Sequence, residues 1–218
     1  MKDCLINAYT WANKKKFDAT HKSSGDKCAL IINGSKKFVL DKTRLNHTLH
    51  QVAKEELESR GYQVLETIVD KGYEPKEEVH KFVSSELIIY QMPAWWMGEP
   101  WIVKKYIDEV FSAEPGVLCK NDGRTRSDPS KKYGSGGLCQ GKKVLFSVTW
   151  NAPLEAFTEP NQFFEGVGIE GVYLHLKKAH EFCGMECLPI FSCHDVVKNP
   201  QVEQYIANYR AHLARVLD

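Results

Sequence analysis

Two hydrophobic periods alternate along this chain, and that alternation narrows its fold more than any other feature. Cys28-Ala29-Leu30-Ile31-Ile32-Asn33, Gln63-Val64-Leu65-Glu66-Thr67-Ile68, Leu87-Ile88-Ile89-Tyr90, Lys143-Val144-Leu145-Phe146-Ser147-Val148 and Leu188-Pro189-Ile190-Phe191-Ser192-Cys193 are short, apolar-rich runs. Runs of this length suit strands covered on both faces. Between them the pattern turns helical. Leu45, Leu49, Val52, Ala53 and Leu57 recur at helical spacing ahead of Gly61, and Pro75 opens a charged helix to about residue 84. Further helices are expected over about 101–111, 172–182 and 202–217, the last with Val202, Ile206, Tyr209 and Leu213 on one face. Strand–helix alternation over five units predicts a parallel sheet with right-handed crossovers. Five strands suit an α/β, flavodoxin-like three-layer sandwich of order 2-1-3-4-5 better than a six-stranded dinucleotide-binding domain.

Two stretches stand outside this rhythm. Residues 1–26, with Lys14-Lys15-Lys16 and His21-Lys22-Ser23-Ser24-Gly25-Asp26, are polar and aperiodic, so a mobile or loosely docked extension is expected ahead of one domain over 27–218. Residues 116–141 are polar and glycine-rich. An insert this long without clear structure of its own is functional or disordered as a rule.

Composition excludes several classes. A formal net charge of +1 argues against bulk electrostatic binding of nucleic acid. No apolar run approaches the roughly 20 residues that span a bilayer, and no signal-peptide pattern opens the chain. Seven cysteines, an odd and scattered set, suit a reduced cytoplasmic protein. His180, Cys183, Cys187, Cys193 and His194 are the best candidate metal cluster, yet no C-x-x-C pair exists, so core-filling thiols are expected and no metal. Gly166-Val167-Gly168-Ile169-Glu170-Gly171 matches G-x-G-x-x-G, but no buried strand precedes it, and the dinucleotide mechanism needs one.

The sheet's carboxyl edge is where open α/β folds bind ligands. Three loops should converge there: 38–48, 91–100 and 149–153. The first places Lys42, Thr43, Arg44, Leu45, Asn46, His47, Thr48 and Leu49 around a helix start, whose amides suit a phosphate, with Thr43 or Asn46 as caps or ligands. In the second, Gln91-Met92-Pro93-Ala94-Trp95-Trp96-Met97-Gly98-Glu99-Pro100, prolines and a glycine set the path of adjacent tryptophans. Read alone, this stretch fits either a wall for a planar aromatic cofactor or a plug in the core. Beside the third loop, Trp95, Trp96 and Trp150 are candidate stacking rings. No acid–base triad is present, as expected where a cofactor carries the chemistry.

Pro93-Ala94-Trp95-Trp96-Met97-Gly98, Asp122-Gly123-Arg124-Thr125-Arg126, Lys131-Lys132-Tyr133-Gly134-Ser135-Gly136-Gly137 and Thr149-Trp150-Asn151-Ala152-Pro153-Leu154-Glu155-Ala156-Phe157 together resemble one family. It is the modulator-of-drug-activity-B branch of the flavodoxin-fold NAD(P)H:quinone oxidoreductases. The resemblance runs from about Ala29 to the C-terminus. It implies an FAD enzyme that reduces quinones by two electrons, NADPH preferred over NADH, as a homodimer with FAD near the interface. It puts the FAD diphosphate and adenosine on residues 42–49. The isoalloxazine falls on Trp95, Trp96, Met97, Gly98, Thr149, Trp150, Asn151 and Ala152, with Tyr133 a further contact. The implied mechanism is ping-pong, hydride passing through flavin N5, with no protein acid or base assigned; Tyr133 is the one candidate. The competing readings are an FMN-binding azoreductase-like enzyme or electron carrier of the same fold, and a flavin-free interaction protein.

Overall fold

The computed structural model describes residues 27–37 and 44–218. The expected extension over 1–26, together with Lys42 and Thr43, lies outside the described residues. Strands β1 (Lys27–Asn33), β2 (Tyr62–Ile68), β3 (Leu87–Pro93) and β4 (Lys143–Thr149) are joined by β5 (Glu186–Cys187) and β6 (Phe191–Cys193) in one parallel sheet. Its order is β2-β1-β3-β4-β5, with β6 also on β4. The expected 2-1-3-4-5 arrangement is therefore present, its last strand interrupted. The break has a clear cause. Pro189 brings no N–H, and the N–H of Ile190 donates to Glu170 Oε1 (2.8 Å) instead of the ladder.

Helices cover both faces. Against Ala29, Ile31, Leu87, Ile89 and Leu145 pack α1 (Arg44–Ser59) and the C-terminal α7 (Val202–Leu217). Gly61, at φ +81°, closes the turn after α1 as its position predicted. Against Leu30, Ile32, Ile88, Tyr90, Val144 and Phe146 pack α2 (Pro75–Ser84), α3 (Trp101–Ala113) and α6 (Leu174–Phe182). Two short helices not expected from the pattern, α4 (Glu155–Thr158) and α5 (Gly168–Val172), precede α6. The expected helix over 172–182 is thus broken at Tyr173. No helix among the described residues is long and apolar enough to cross a membrane.

The insert over 116–141 carries no helix or named strand, yet it is fastened. Cys119 and Gly137 form an isolated bridge, Leu138 N–H donates to Leu118 O (2.9 Å), and Cys139 N–H donates to Cys183 O (2.9 Å). Cys183 follows the last residue of α6, and β5 then pairs with the first residues of β4. The insert therefore lies at the amino edge of the sheet, opposite the carboxyl ends of β3 and β4.

His180 is completely buried in α6, among the rings of Tyr90, Phe111 and Phe146 at 5.1, 5.1 and 5.2 Å. Its Nδ1–H donates to Leu176 O (2.8 Å), which leaves Nε2 to accept from the Tyr90 hydroxyl (3.0 Å). Burial pushes its pKa down to about 4. A histidine neutral in the fold but with a pKa near 6.5 when unfolded binds its proton first in the unfolded chain. Stability is therefore complete above about pH 6.5 and falls on acidification towards pH 4, by about 3 kcal/mol from this group. Urea titrations at pH 7.5 and 4.5 should show that loss, and His180→Gln should flatten most of it. Equal slopes in the two proteins would refute the assignment.

Candidate active site

Strand β3 runs three residues further than its apolar run, through Gln91, Met92 and Pro93, before the tryptophan turn begins. Trp95 and Gly98 then close a two-residue turn, with N–H···O bonds of 2.9 and 3.2 Å in the two directions. Its central residues, Trp96 and Met97, have φ of +44° and +70°. Left-handed backbone costs a side-chain-bearing residue about 1–2 kcal/mol, and turns of this kind ordinarily use Asn or Gly there. The strained turn holds the Trp96 indole 96% exposed and Met97 half-exposed, while Trp95 is half-buried. Glu99 anchors the far side: its carboxylate, largely buried, meets His175 Nε2 of α6 at 2.8 Å.

The end of β4 lies alongside. Pro93 is in register with Thr149, and Ala94 N–H donates to Thr149 O (2.9 Å). Thr149 and Trp150 are buried, Asn151 exposed and Ala152 half-buried. The Trp150 indole stands edge-on to Phe157 (5.0 Å), Phe164 (5.6 Å) and Tyr173 (6.2 Å). That ring is core, and the Trp150 main chain is spent on β6 and the turn after it, its N–H on Cys193 O (2.8 Å) and its C=O on Val196 N–H (3.1 Å), so Trp150 drops out of the three expected stacking rings. Among the described residues nothing accepts a hydrogen bond from the main-chain N–H of Trp96, Met97, Asn151 or Ala152. Exposed aromatic surface and free amides at adjoining strand ends fit the planar, acceptor-rich ring of a flavin.

On the phosphate side, Arg44 and His47 are exposed and Leu45 half-buried. Thr48 Oγ1 is spent on Arg44 O (2.9 Å). Leu49 is completely buried and Asn46 nearly so. The Asn46 amide bonds inward to Asn33 and Gln91, two residues that the motif reading did not single out. Their polar character in otherwise apolar strands was the available signal.

Tyr133 does not join these loops within its own chain. It is 69% exposed on the insert, its ring 5.3 Å from that of Phe182 at the end of α6 and 5.4 Å from the Arg124 guanidinium. Asp122 grips Arg124 through bonds of 2.9 and 2.6 Å, and this pairing holds the Asp122 carboxyl below its ordinary range. Gly166 and Gly168 have positive φ and lead into the five-residue α5 with no strand before them. Cys183 and Cys193 are buried in the core and Cys187 is half-buried. Among the described residues no three His, Cys, Asp or Glu side chains group as metal ligands.

The family with a flavodoxin-like fold matches residues 27–217. NADPH:quinone oxidoreductase MdaB of Haemophilus influenzae is 52% identical over 187 residues, which cover 86% of this chain and 97% of that protein. The chain belongs to the MdaB branch of the flavodoxin-fold NAD(P)H:quinone oxidoreductases. Among solved structures, the NAD(P)H:quinone oxidoreductase of Methanothermobacter marburgensis superposes with a TM-score of 0.60 at 12% identity, covering 89% of this chain and all of the other. General stress protein 14 of Treponema denticola, solved with FMN, also gives 0.60, at 19% identity over 87% and 99%. At such identities these two likenesses speak to the fold. The MdaB branch membership rests on the Haemophilus protein and the family match.

Proposed function

We propose that this chain reduces quinones at the expense of NADPH, or less readily NADH, with FAD held at the carboxyl edge of the sheet, and that it works as a homodimer. The observation that carries the reading is the abutment of the tryptophan turn on the end of β4, within a chain 52% identical to an MdaB quinone reductase over nearly that protein's whole length. FAD, when bound, supplies the two-electron hydride chemistry. The chain's part is to bind and orient. Trp96 offers a flat face to a ring, and the free amides of Met97, Asn151 and Ala152 are donors for its oxygens and nitrogens. Arg44 and His47 face solvent where a diphosphate would lie. No side chain at these loops is assigned as acid or base.

Tyr133 supports the dimer. The family resemblance puts it at the flavin, whereas its own fold holds it at the other end of the sheet beside Phe182. A second copy reconciles the two. Phe163, Val167 and Leu174, on the segment between α4 and the start of α6, are each more than half exposed, apolar side chains that a second copy could cover. The FMN-bound Treponema protein of the same fold favours a second reading, in which the ring binds without an adenosine.

Acid extraction of the purified protein followed by chromatography separates these readings. FAD is expected; FMN would overturn the cofactor assignment, and no flavin after reconstitution would leave only a binding protein. With menadione as acceptor, double-reciprocal plots should be parallel for NADPH and NADH. Intersecting lines would contradict the ping-pong scheme, and a monomer in sedimentation would contradict the dimer.

A further inference from the structure

The sheet face beneath α1 and α7 is apolar along most of its length and turns polar at one level. Ile31, Ile89 and Leu145 lie in register across β1, β3 and β4, all completely buried. Two residues further on, Asn33, Gln91 and Ser147 lie in register, equally buried. Asn46, from the first turn of α1, closes over this row. Its Nδ2 donates to Asn33 Oδ1 (3.0 Å) and reaches Gln91 O (3.4 Å), and its Oδ1 accepts from Gln91 Nε2 (3.0 Å). Asn33 Oδ1 also accepts from Ser35 N–H (3.1 Å) and Ser35 Oγ (2.6 Å), and Gly34 N–H donates to Gln91 O (2.9 Å).

A row serving stability alone would continue the leucines and isoleucines, since buried amides gain little over apolar side chains of the same shape. Nor is this row fully satisfied, for Gln91 Oε1 is buried with no partner among the described residues. What the bonds do fix is the mutual position of three backbone segments: the end of β1, the first turn of α1 and the end of β3. The first two flank the phosphate-side loop, and the third leads into the tryptophan turn.

We infer that Asn33, Asn46 and Gln91 are positioning residues that set the phosphate side and the ring side of the cofactor site in register with each other before anything binds. This rests on the flavin reading above and adds to it a device one layer below the contacting atoms. Asn46 acts here through its neighbours and needs no contact with the cofactor.

The test is the paired variant Asn46→Leu/Gln91→Met in the full chain, stripped of flavin and compared with the wild type. Both partners become apolar and similar in size, so the thermal midpoint should hold or rise. Two other readouts should move. Amide hydrogen exchange at residues 34–36 and 44–48 should speed up about tenfold or more while residues 144–148 stay as they were. The dissociation constant for added FAD, read by quenching of flavin fluorescence, should rise about tenfold or more. Unchanged exchange at those segments would overturn the inference, as would a lower midpoint with unchanged FAD affinity, the mark of a purely structural network. Wild-type protein that takes up no flavin would sink the cofactor reading instead, and the exchange result then decides the positioning claim alone. Asn46→Asp, which keeps size and loses the donor, gives the same readouts should the paired variant fail to fold.

Discussion

Replacing Glu78 by leucine is expected to cost about 3 kcal/mol, close to the loss seen on breaking other buried ion pairs. The carboxylate is only 2% exposed on α2, and its acceptor sites are taken. Oε2 accepts from the hydroxyls of Thr67 on β2 and Tyr106 on α3, each at 2.7 Å, and Oε1 meets Lys81 Nζ at 2.7 Å. Lys81 returns to the strand through Thr67 Oγ1 (2.8 Å) and Glu66 O (3.1 Å). One carboxylate thus ties α2 to the sheet edge and to α3. Leucine fills the volume but leaves two buried hydroxyls and an ammonium without their acceptor. Because Lys81 keeps about a quarter of its side chain in water, it can rehydrate, which holds the loss to the lower end of that range. Urea unfolding followed by far-ultraviolet circular dichroism measures it. Glu78→Gln, which keeps one acceptor oxygen, should lose less, and a loss under about 1 kcal/mol for leucine would mean that the network carries little.

Gly137→Ala is expected to release the insert. A Cβ there would stand 2.2 Å from the Cys183 carbonyl carbon, 2.3 Å from Gly184 N and 2.5 Å from Cys183 O. All three are backbone atoms, so no rotamer change makes room and the insert must move off the end of α6. Overpacking of this sort costs about 1–3 kcal/mol. The effect should be local as well as global, because the Cys119–Gly137 bridge and the Cys139–Cys183 hydrogen bond hold the insert at the same place. Tryptic cleavage at Arg124, Arg126, Lys131 or Lys132 should accelerate several-fold under native conditions. Under the proposed dimeric arrangement, quinone turnover should fall too, since Tyr133 rides on this insert. Cleavage at the wild-type rate would show that the loop tolerates the methyl group.

Much of this molecule is legible in its amino acids because the relevant physics is local. Val64 to Ile68, Ile88 to Tyr90 and Val144 to Val148 announce strands through burial over a short window, and Gly61 and Pro75 mark helix ends by backbone geometry. The last strand, expected unbroken over Leu188–Cys193, is interrupted because Pro189 has no N–H and Glu170, twenty residues before Ile190, takes the Ile190 N–H. Of the candidate site, the convergence of the tryptophan turn on the Thr149–Ala152 loop was legible, because both sit at the ends of neighbouring strands.

Other features depend on which distant segments pack together. Trp96 and Trp150 are the same residue type in equally motif-like loops; one stands in solvent, and the other is buried among Phe157, Phe164 and Tyr173. Asn46 reads as a helix-start ligand until Gln91, forty-five residues on, turns its amide inward. The family resemblance implies a place for Tyr133 at the cofactor, while the chain's own topology carries it to the far end of the sheet. Periodicity and turn chemistry sufficed for the first four strands and the longer helices, because each depends on neighbours within a few residues, but not for the short α4 and α5 or the divided last strand. Assembly alone settled which aromatic faces stay open and which amides are consumed, since burial is a property of the partners that a side chain meets.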